Sequence, residues 1–201
     1  MASVTISPKD VGELRTRTGA GMMDCKRALE EAGGDMEKAG EILRKKGIAK
    51  AEKRAGKSAS EGIVVSYIHH NGQVGALVEL NCETDFVART EDFQQLARDI
   101  ALHVASADPI GVNPEDVPAD LLERERRIAE DQVAQEGKPE NIRAKIVDGK
   151  LKKFVAERSL TEQLFVKDDK RTVGQLVKEA SGKLGETIAV RRFARFKIGE
   201  V

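Results

Sequence analysis

The sequence predicts an α+β protein, a helical head followed by a small antiparallel sheet covered by helices. Three observations carry that expectation. The first fifty residues hold three short apolar stripes at helical spacing, parted by glycines. Two strand-like runs, Ile63 to His69 and Val74 to Leu80, flank His70-Asn71-Gly72-Gln73. Asn-Gly between such runs is the strongest short-range hairpin signal, because both turn residues must accept positive φ. A final run, Thr187 to Ile198, interleaves Ile, Val and Phe with Arg and Lys and reads as a third, long strand.

Each element has its own signal. Ser7-Pro8-Lys9-Asp10 offers an N-cap, a proline at the first helical position and an acid three residues on, with Val11 and Leu14 on one face. After Thr18-Gly19-Ala20-Gly21, residues Cys25, Ala28, Leu29 and Ala32 make a second stripe. Gly33-Gly34 stops that helix, and Asp35 caps a third whose apolar face is Met36, Ala39, Ile42 and Leu43 and which Gly47 closes. Beyond the hairpin, Thr90 caps a helix with the stripe Phe93, Leu96, Ala97, Ile100, Ala101 and Val104. Pro109, Pro114 and Pro118 form a loop before a long charged helix carrying Leu121, Leu122, Ile128, Ala129 and Val133 to Gly137. Pro139 starts another, with Ile142, Ile146, Leu151, Phe154 and Val155. Thr172 caps the last, with Val173, Leu176, Val177 and Ala180. No internal repeat or low-complexity tract interrupts the pattern.

Composition bounds the function. At 201 residues and 40% apolar, the chain suits one domain, or one with a small appendage, and needs no metal or disulfide to fold. Its longest apolar runs, such as Ile63-Val64-Val65 and Ile188-Ala189-Val190, are far too short to span a bilayer. Met1-Ala2-Ser3-Val4 lacks the charged start and apolar stretch of a secretory signal. Lys+Arg and Asp+Glu are 34 each, so zero net charge argues against a chain that wraps nucleic acid or lies on an anionic membrane. Cys25 and Cys82 stand far apart in unlike contexts, which excludes a disulfide framework and points to a reducing cytoplasm. Lys50, Lys53, Arg54 and Lys57, spaced by Ala, Gly and Ser, read as a solvated helical or flexible tether. The expected organisation is a head over residues 1–48, a basic linker over 49–61 and an α+β core over 62–201.

No reaction centre stands out. A Gly-rich phosphate loop, G-x-S-x-G, H-E-x-x-H and paired C-x-x-C are all absent, so no catalytic residue, cofactor or metal ligand is expected. Gly19-Ala20-Gly21 precedes a helix, but no strand leads into it, and a tight helix connection explains the glycines. Cys25 sits on an apolar stripe and belongs to the core. Cys82 with His69, His70 and Glu83 lacks ligand spacing, and adjacent histidines on a strand point to opposite faces. Arg191, Arg192, Arg195 and Lys197 alternate with aromatics as in a nucleic-acid surface, yet solvation of a strand face explains them equally.

Two segments resist a plain structural account. Met22 and Met23 open a helix about 100° apart, so both cannot enter one narrow stripe, and flexible thioethers at an exposed helix start suit a binding surface. In Glu79-Leu80-Asn81-Cys82-Glu83-Thr84-Asp85-Phe86-Val87-Ala88-Arg89, an acid and a large aromatic follow a strand end at a turn. Either Phe86 protrudes as a wedge with Asp85 competing for a partner's polar contacts, or Thr84 or Asp85 caps a short helix and Phe86 fills the local core. On the residues alone both readings stand.

These two segments resemble the paired signatures of the elongation factor Ts family: T-G-A-G-M-M-D-C-K-x-A-L at Thr18 to Leu29, and E-L-N-C-E-T-D-F-V-A-R at Glu79 to Arg89. Lys46 to Lys50, Gly137 to Glu140, Leu151 to Phe154 and Phe165 to Asp169 extend the resemblance nearly end to end. It is similar to the short bacterial form, with a ubiquitin-associated-like head and a single core module. One local departure is Glu162-Gln163-Leu164-Phe165, where the family's usual run is E-Q-P-F. The resemblance implies a guanine-nucleotide exchange factor, not an enzyme, that binds elongation factor Tu in its GDP-bound and nucleotide-free states. Thr84, Asp85, Phe86 and Val87 match the family's T-D-F-V, associated with dislodging Mg²⁺ from that partner's nucleotide site. Arg15, Met22 and Met23 match head positions that contact the partner's nucleotide-binding domain. It further implies a cytoplasmic homodimer that takes no cofactor and binds neither nucleic acid nor membrane directly.

Overall fold

The first helix, α1 (Pro8–Thr18), starts where the Ser7 hydroxyl accepts the Asp10 amide at 3.1 Å and Asp10 returns a bond to the Ser7 N–H at 3.4 Å. The geometry is that of a computed structural model describing residues 6–54, 56–137 and 139–200. The Met1-Ala2-Ser3-Val4 start and Lys138 therefore lie outside the described residues. Gly19, at φ +68°, ends α1 with its N–H on the Arg15 carbonyl. Helix α2 (Met22–Glu31) and helix α3 (Met36–Arg54) follow, and all three pack on one another. Val11, Leu14, Cys25, Ala28, Leu29, Ala39 and Leu43 form their common core, as the spacing predicts.

Helix α3 does not stop at Gly47 as expected but runs on to Arg54, and Ala51 is buried. Gly47 lies within the helix, with its backbone against Gly182. A Cβ built on Gly182 would lie 2.5 Å from the Gly47 carbonyl oxygen. The close approach therefore requires glycine at 182, and Gly47 is no stop signal but a glycine inside a helix that continues past it.

Strands β1 (Glu61–Ile68) and β2 (Val74–Cys82) form the predicted hairpin. Its connection departs from the two-residue turn: Gly72 has φ +68°, whereas Asn71 keeps negative φ and uses its side-chain oxygen to accept the Gln73 N–H at 3.0 Å. His69 and His70 lie beyond the strand end with ring centroids 4.2 Å apart, not on opposite faces. A one-turn helix, α4 (Asp85–Ala88), precedes α5 (Glu91–Ala107), whose predicted stripe is buried throughout. A 3₁₀ turn at Pro114–Asp116 leads to α6 (Ala119–Gln135) and α7 (Glu140–Arg158), which pack through Ala129, Val133 and Val147. Strands β3 (Leu164–Phe165) and β4 (Asp168–Thr172) form a small antiparallel pair that the sequence does not announce. Helix α8 (Val173–Leu184), capped by the Thr172 hydroxyl, and strand β5 (Ala189–Lys197) complete the chain. The three-stranded sheet has the order β1-β2-β5, with β5 antiparallel to β2 through the Ile198 N–H on the Gln73 carbonyl.

Two compact units result. One comprises the described residues of Met1–Gly62 with Asn81–Leu96 and Leu176–Ala189; the other has Ile63–Leu80, Ala97–Gln175 and the described part of Val190–Val201. In the second unit, buried His103 organises the β3–β4 pair. Its Nε2–H donates to Gln163 at 3.0 Å, its Nδ1 accepts the Val166 N–H at 3.3 Å, and Gln163 donates to the Ala107 and Glu157 carbonyls. Burial lowers the His103 pKa, which suits a neutral ring with one donor and one acceptor. Leu164, the departure from the family run, sits opposite Thr172 in this pair.

Candidate functional site

Strand β2 delivers the second signature to the surface. Cys82 is buried at its end, and its thiol donates to the Thr84 carbonyl at 3.1 Å. Thr84 stays extended at φ −130° and ψ 152°, and its Oγ1 caps α4 by accepting the Val87 N–H at 3.4 Å. Only two bonds follow the helical pattern here, Ala88 N–H to the Thr84 carbonyl and Arg89 N–H to the Asp85 carbonyl. Ala88 points inward and is buried, while Phe86 is 78% exposed. Asp85 accepts from Arg89 at 2.8 Å on the turn's outer side, and Val87 is half-buried. Both sequence-level readings hold in part: Thr84 caps a short helix, yet Phe86 stays out of the core.

Two carboxylates frame this turn. Glu83 receives the Arg54 guanidinium as a fork, with contacts of 2.9, 3.0 and 3.2 Å, and the Thr187 amide at 2.7 Å. Glu186 in turn accepts from the amides of Glu83 and Thr84 and from the Thr84 hydroxyl. The bond from the Thr187 N–H, with Arg54 beside it, holds the Glu83 carboxyl down at about 2, from an ordinary value of 4.5. A depressed carboxylate pKa contributes stability fully present above the unfolded value and lost as pH falls through the folded one. Melting temperature should therefore decline between about pH 4.5 and pH 2. Glu83→Gln should flatten that part of the profile when melts are recorded across the range; an unchanged slope would show that Glu83 is not its source.

The first signature lies in the same compact unit. Arg15 is exposed in the last turn of α1, and Met22 and Met23 open α2 with 45% and 64% of their surfaces exposed. The Gly21 cap gives α2 no side-chain partner. Gly19 also leaves room for Lys183, whose Cε would lie 2.2 Å from a Cβ at that position and whose ammonium pairs with Asp92 at 2.9 Å. The glycines of the signature thus serve a helix connection and a docking contact.

Cys25 is fully buried against the Ala20 carbonyl, and burial pushes the Cys82 thiol pKa up, away from reactivity. His69 meets the Tyr67 hydroxyl at 3.0 Å. Among the described residues no group of His, Cys, Asp or Glu is placed to hold a metal. Within the basic series Arg192 pairs with Glu79, Arg195 with Asp108 and Glu200, Lys197 with Glu200, and Lys50 with Asp24. No described helix is long and apolar enough to cross a membrane. Sequence reasoning missed Arg54, Glu186 and Thr187 as parts of the frame. Glu186 is 102 residues from Thr84, and no local spacing signals such a contact.

An α+β chain whose distinctive groups are exposed side chains on braced turns is built for contact with another molecule, and comparison gives the class: translation elongation factors. The family model described as "Elongation factor TS" matches residues 8–200. Proteins named Elongation factor Ts are similar along their whole length. That of Desulfosudis oleivorans is 57% identical over 98% of this chain and 99% of its own. Those of Thermosipho melanesiensis and Fervidobacterium nodosum are 56% and 54% identical, each over 97% of this chain and 100% and 99% of their own. The chain belongs to the elongation factor Ts family.

Proposed function

We propose that this protein binds the elongation factor Tu–GDP complex and speeds release of GDP, so that GTP can load during translation elongation. The observation that carries the reading is Phe86, exposed on a turn whose N-terminal end is fixed by the Glu83 and Glu186 carboxylates. Mg²⁺ on a nucleoside diphosphate demands near-octahedral geometry at short distances, so a small shift in its surroundings weakens it sharply. Its loss removes the main counter-charge of the diphosphate. Phe86 is the lever, Val87 supports it, and Asp85 rearranges the polar contacts behind the metal, with Thr84 capping the turn. Arg15, Met22 and Met23 supply a second contact from the head over 1–48, whose helices are ubiquitin-associated-like, while the core over 62–201 carries dimerisation. No covalent bond is made or broken. By linkage, the factor by which this protein weakens GDP is the factor by which GDP weakens this protein. Its place of work is the cytoplasm, where elongation occurs.

The test is stopped-flow release of a fluorescent GDP analogue from elongation factor Tu, with and without catalytic amounts of this protein. Strong acceleration is expected; none, in a mixture shown to form the complex, would leave only a binding protein. Met22→Ala combined with Met23→Ala should weaken the complex about thirtyfold by calorimetry, since each exposed thioether buried in a contact is worth about a kilocalorie per mole, while release at saturation changes less. Unchanged affinity removes the head from the contact.

The protein also works as a homodimer in this reading. Val64, Ile68, Leu77, Phe196 and Ile198 are 47% to 75% exposed on the β1, β2 and β5 strands and the residue after them. An exposed apolar sheet face with a long edge strand is a surface that a second copy would cover. Sedimentation should give twice the 22.0 kDa chain mass. Phe196→Asp with Ile198→Asp should give monomers, and a dimer that survives both charges excludes this face.

A further inference from the structure

Glu186 lies just beyond α8, where Gly185 at φ +74° turns the chain and the Ser181 hydroxyl holds the Glu186 carbonyl. Its carboxylate serves the loop that carries Phe86. Oε2 accepts the amide N–H of Glu83 at 3.1 Å and of Thr84 at 3.0 Å, and Oε1 accepts the Thr84 hydroxyl at 2.6 Å. That last bond sets the direction of the hydroxyl. With its proton on Glu186, the Thr84 oxygen keeps a lone pair for the Val87 N–H, so a residue outside α4 orients its cap.

Helix α4 cannot hold its own shape. It has four residues, far below the length at which a helix persists in water, and Phe86 receives no support from burial. The bracing is reciprocal: Glu83 accepts the Thr187 amide while Glu186 accepts the Thr84 amide, so each dipeptide's acid holds the other's backbone. We propose that Glu186 is a positioning residue for nucleotide exchange, holding Thr84 in the conformation that aims Phe86 out of the protein. The proposal deepens the wedge reading of Phe86 and rests on it.

A carboxylate offers acceptors only and satisfies all three donors at once. An amide of the same shape turns one side into a donor facing N–H groups, so Glu186→Gln disturbs the loop with little change in volume. A group misplaced by about an ångström costs on the order of a hundredfold in rate. Glu186→Gln should lower the maximal rate of GDP release about ten- to hundredfold, while the concentration giving half that rate moves less than about threefold. A merely structural role would not produce that split.

The experiment titrates elongation factor Tu, loaded with a fluorescent GDP analogue, with wild-type protein, Glu186→Gln, Phe86→Ala and the double variant. If Glu186 acts through Phe86, the double variant is no slower than Phe86→Ala alone. Thr84→Val removes the same hydroxyl bond from the other side and should repeat the loss, which keeps the test decisive should Glu186→Gln fold poorly. A full-rate Glu186→Gln or Thr84→Val protein, or losses that multiply in the double variant, overturns the positioning role. A wild type that accelerates nothing, or Phe86→Ala at full rate, overturns the wedge reading and the positioning role with it.

Discussion

Phe86→Ala is expected to remove most of the acceleration of GDP release and to leave the fold intact. Its ring is 78% exposed, so truncation takes little area from the core, and surface changes of this kind stay within about 0.5 kcal/mol. For a chain of this size that is a shift in melting temperature of about 2 °C or less. The functional cost is of another order, because an aromatic anchor seated in a partner's crevice is worth about 2–4 kcal/mol. If that contact forms fully only as GDP leaves, the loss falls on the maximal rate rather than on affinity. Stopped-flow titration separates the two, and thermal melts check the fold. A variant that melts several degrees lower but exchanges at full speed would assign Phe86 to packing.

The largest effect on stability is expected at Gly182. A Cβ there would lie 2.5 Å from the oxygen and 2.6 Å from the carbonyl carbon and Cα of Gly47, all backbone atoms that cannot swing aside. Overpacking costs about 1–3 kcal/mol or more, against roughly 1 kcal/mol that alanine returns in helix propensity. Because the clash is with backbone, the upper end of that range applies, and Gly182→Ala should lose about 2 kcal/mol net, or about 4–8 °C in melting temperature. The other side of the contact predicts the opposite sign. A Cβ on Gly47 would meet only the Gly182 Cα, at 3.8 Å, which is ordinary contact. Gly47→Ala should be neutral, or more stable by up to about 1 kcal/mol. Denaturant melts of both variants test the pair, and equal effects would refute the asymmetry. Since Gly47 belongs to the head helices and Gly182 precedes Glu186 by four residues, Gly182→Ala should also slow exchange.

Much of this architecture was legible in order along the chain. Ser7, Pro8 and Asp10 specify a helix start because a cap needs only three neighbouring residues. The stripe from Phe93 to Val104 specifies a buried face because its period is local to one helix. The exposure of Met22 and Met23 follows from the same geometry, since side chains about 100° apart cannot share a narrow stripe. Asn71-Gly72 announced a hairpin correctly but not its turn: Asn71 found a side-chain bond to Gln73 that made positive φ unnecessary.

What escaped the sequence depended on partners far away in it. Gly47 reads as a helix end because nothing near it in sequence shows that α3 continues to Arg54, and the need for glycine at 182 arises from the Gly47 backbone, far earlier in the chain. The β3–β4 pair was invisible because a two-residue strand and a polar five-residue strand carry no pattern, and buried His103 and Gln163 order the chain there. Whether Phe86 lies in the core or at the surface is not legible locally; it is 78% exposed because the turn that carries it is held from Glu186. By itself the sequence determined the helices, the hairpin, the exposed thioethers and the family, all written in residues near one another. The tertiary structure alone decided how the Phe86 turn is held, because a four-residue helix takes its shape from a carboxylate 102 residues away and not from its own hydrogen bonds.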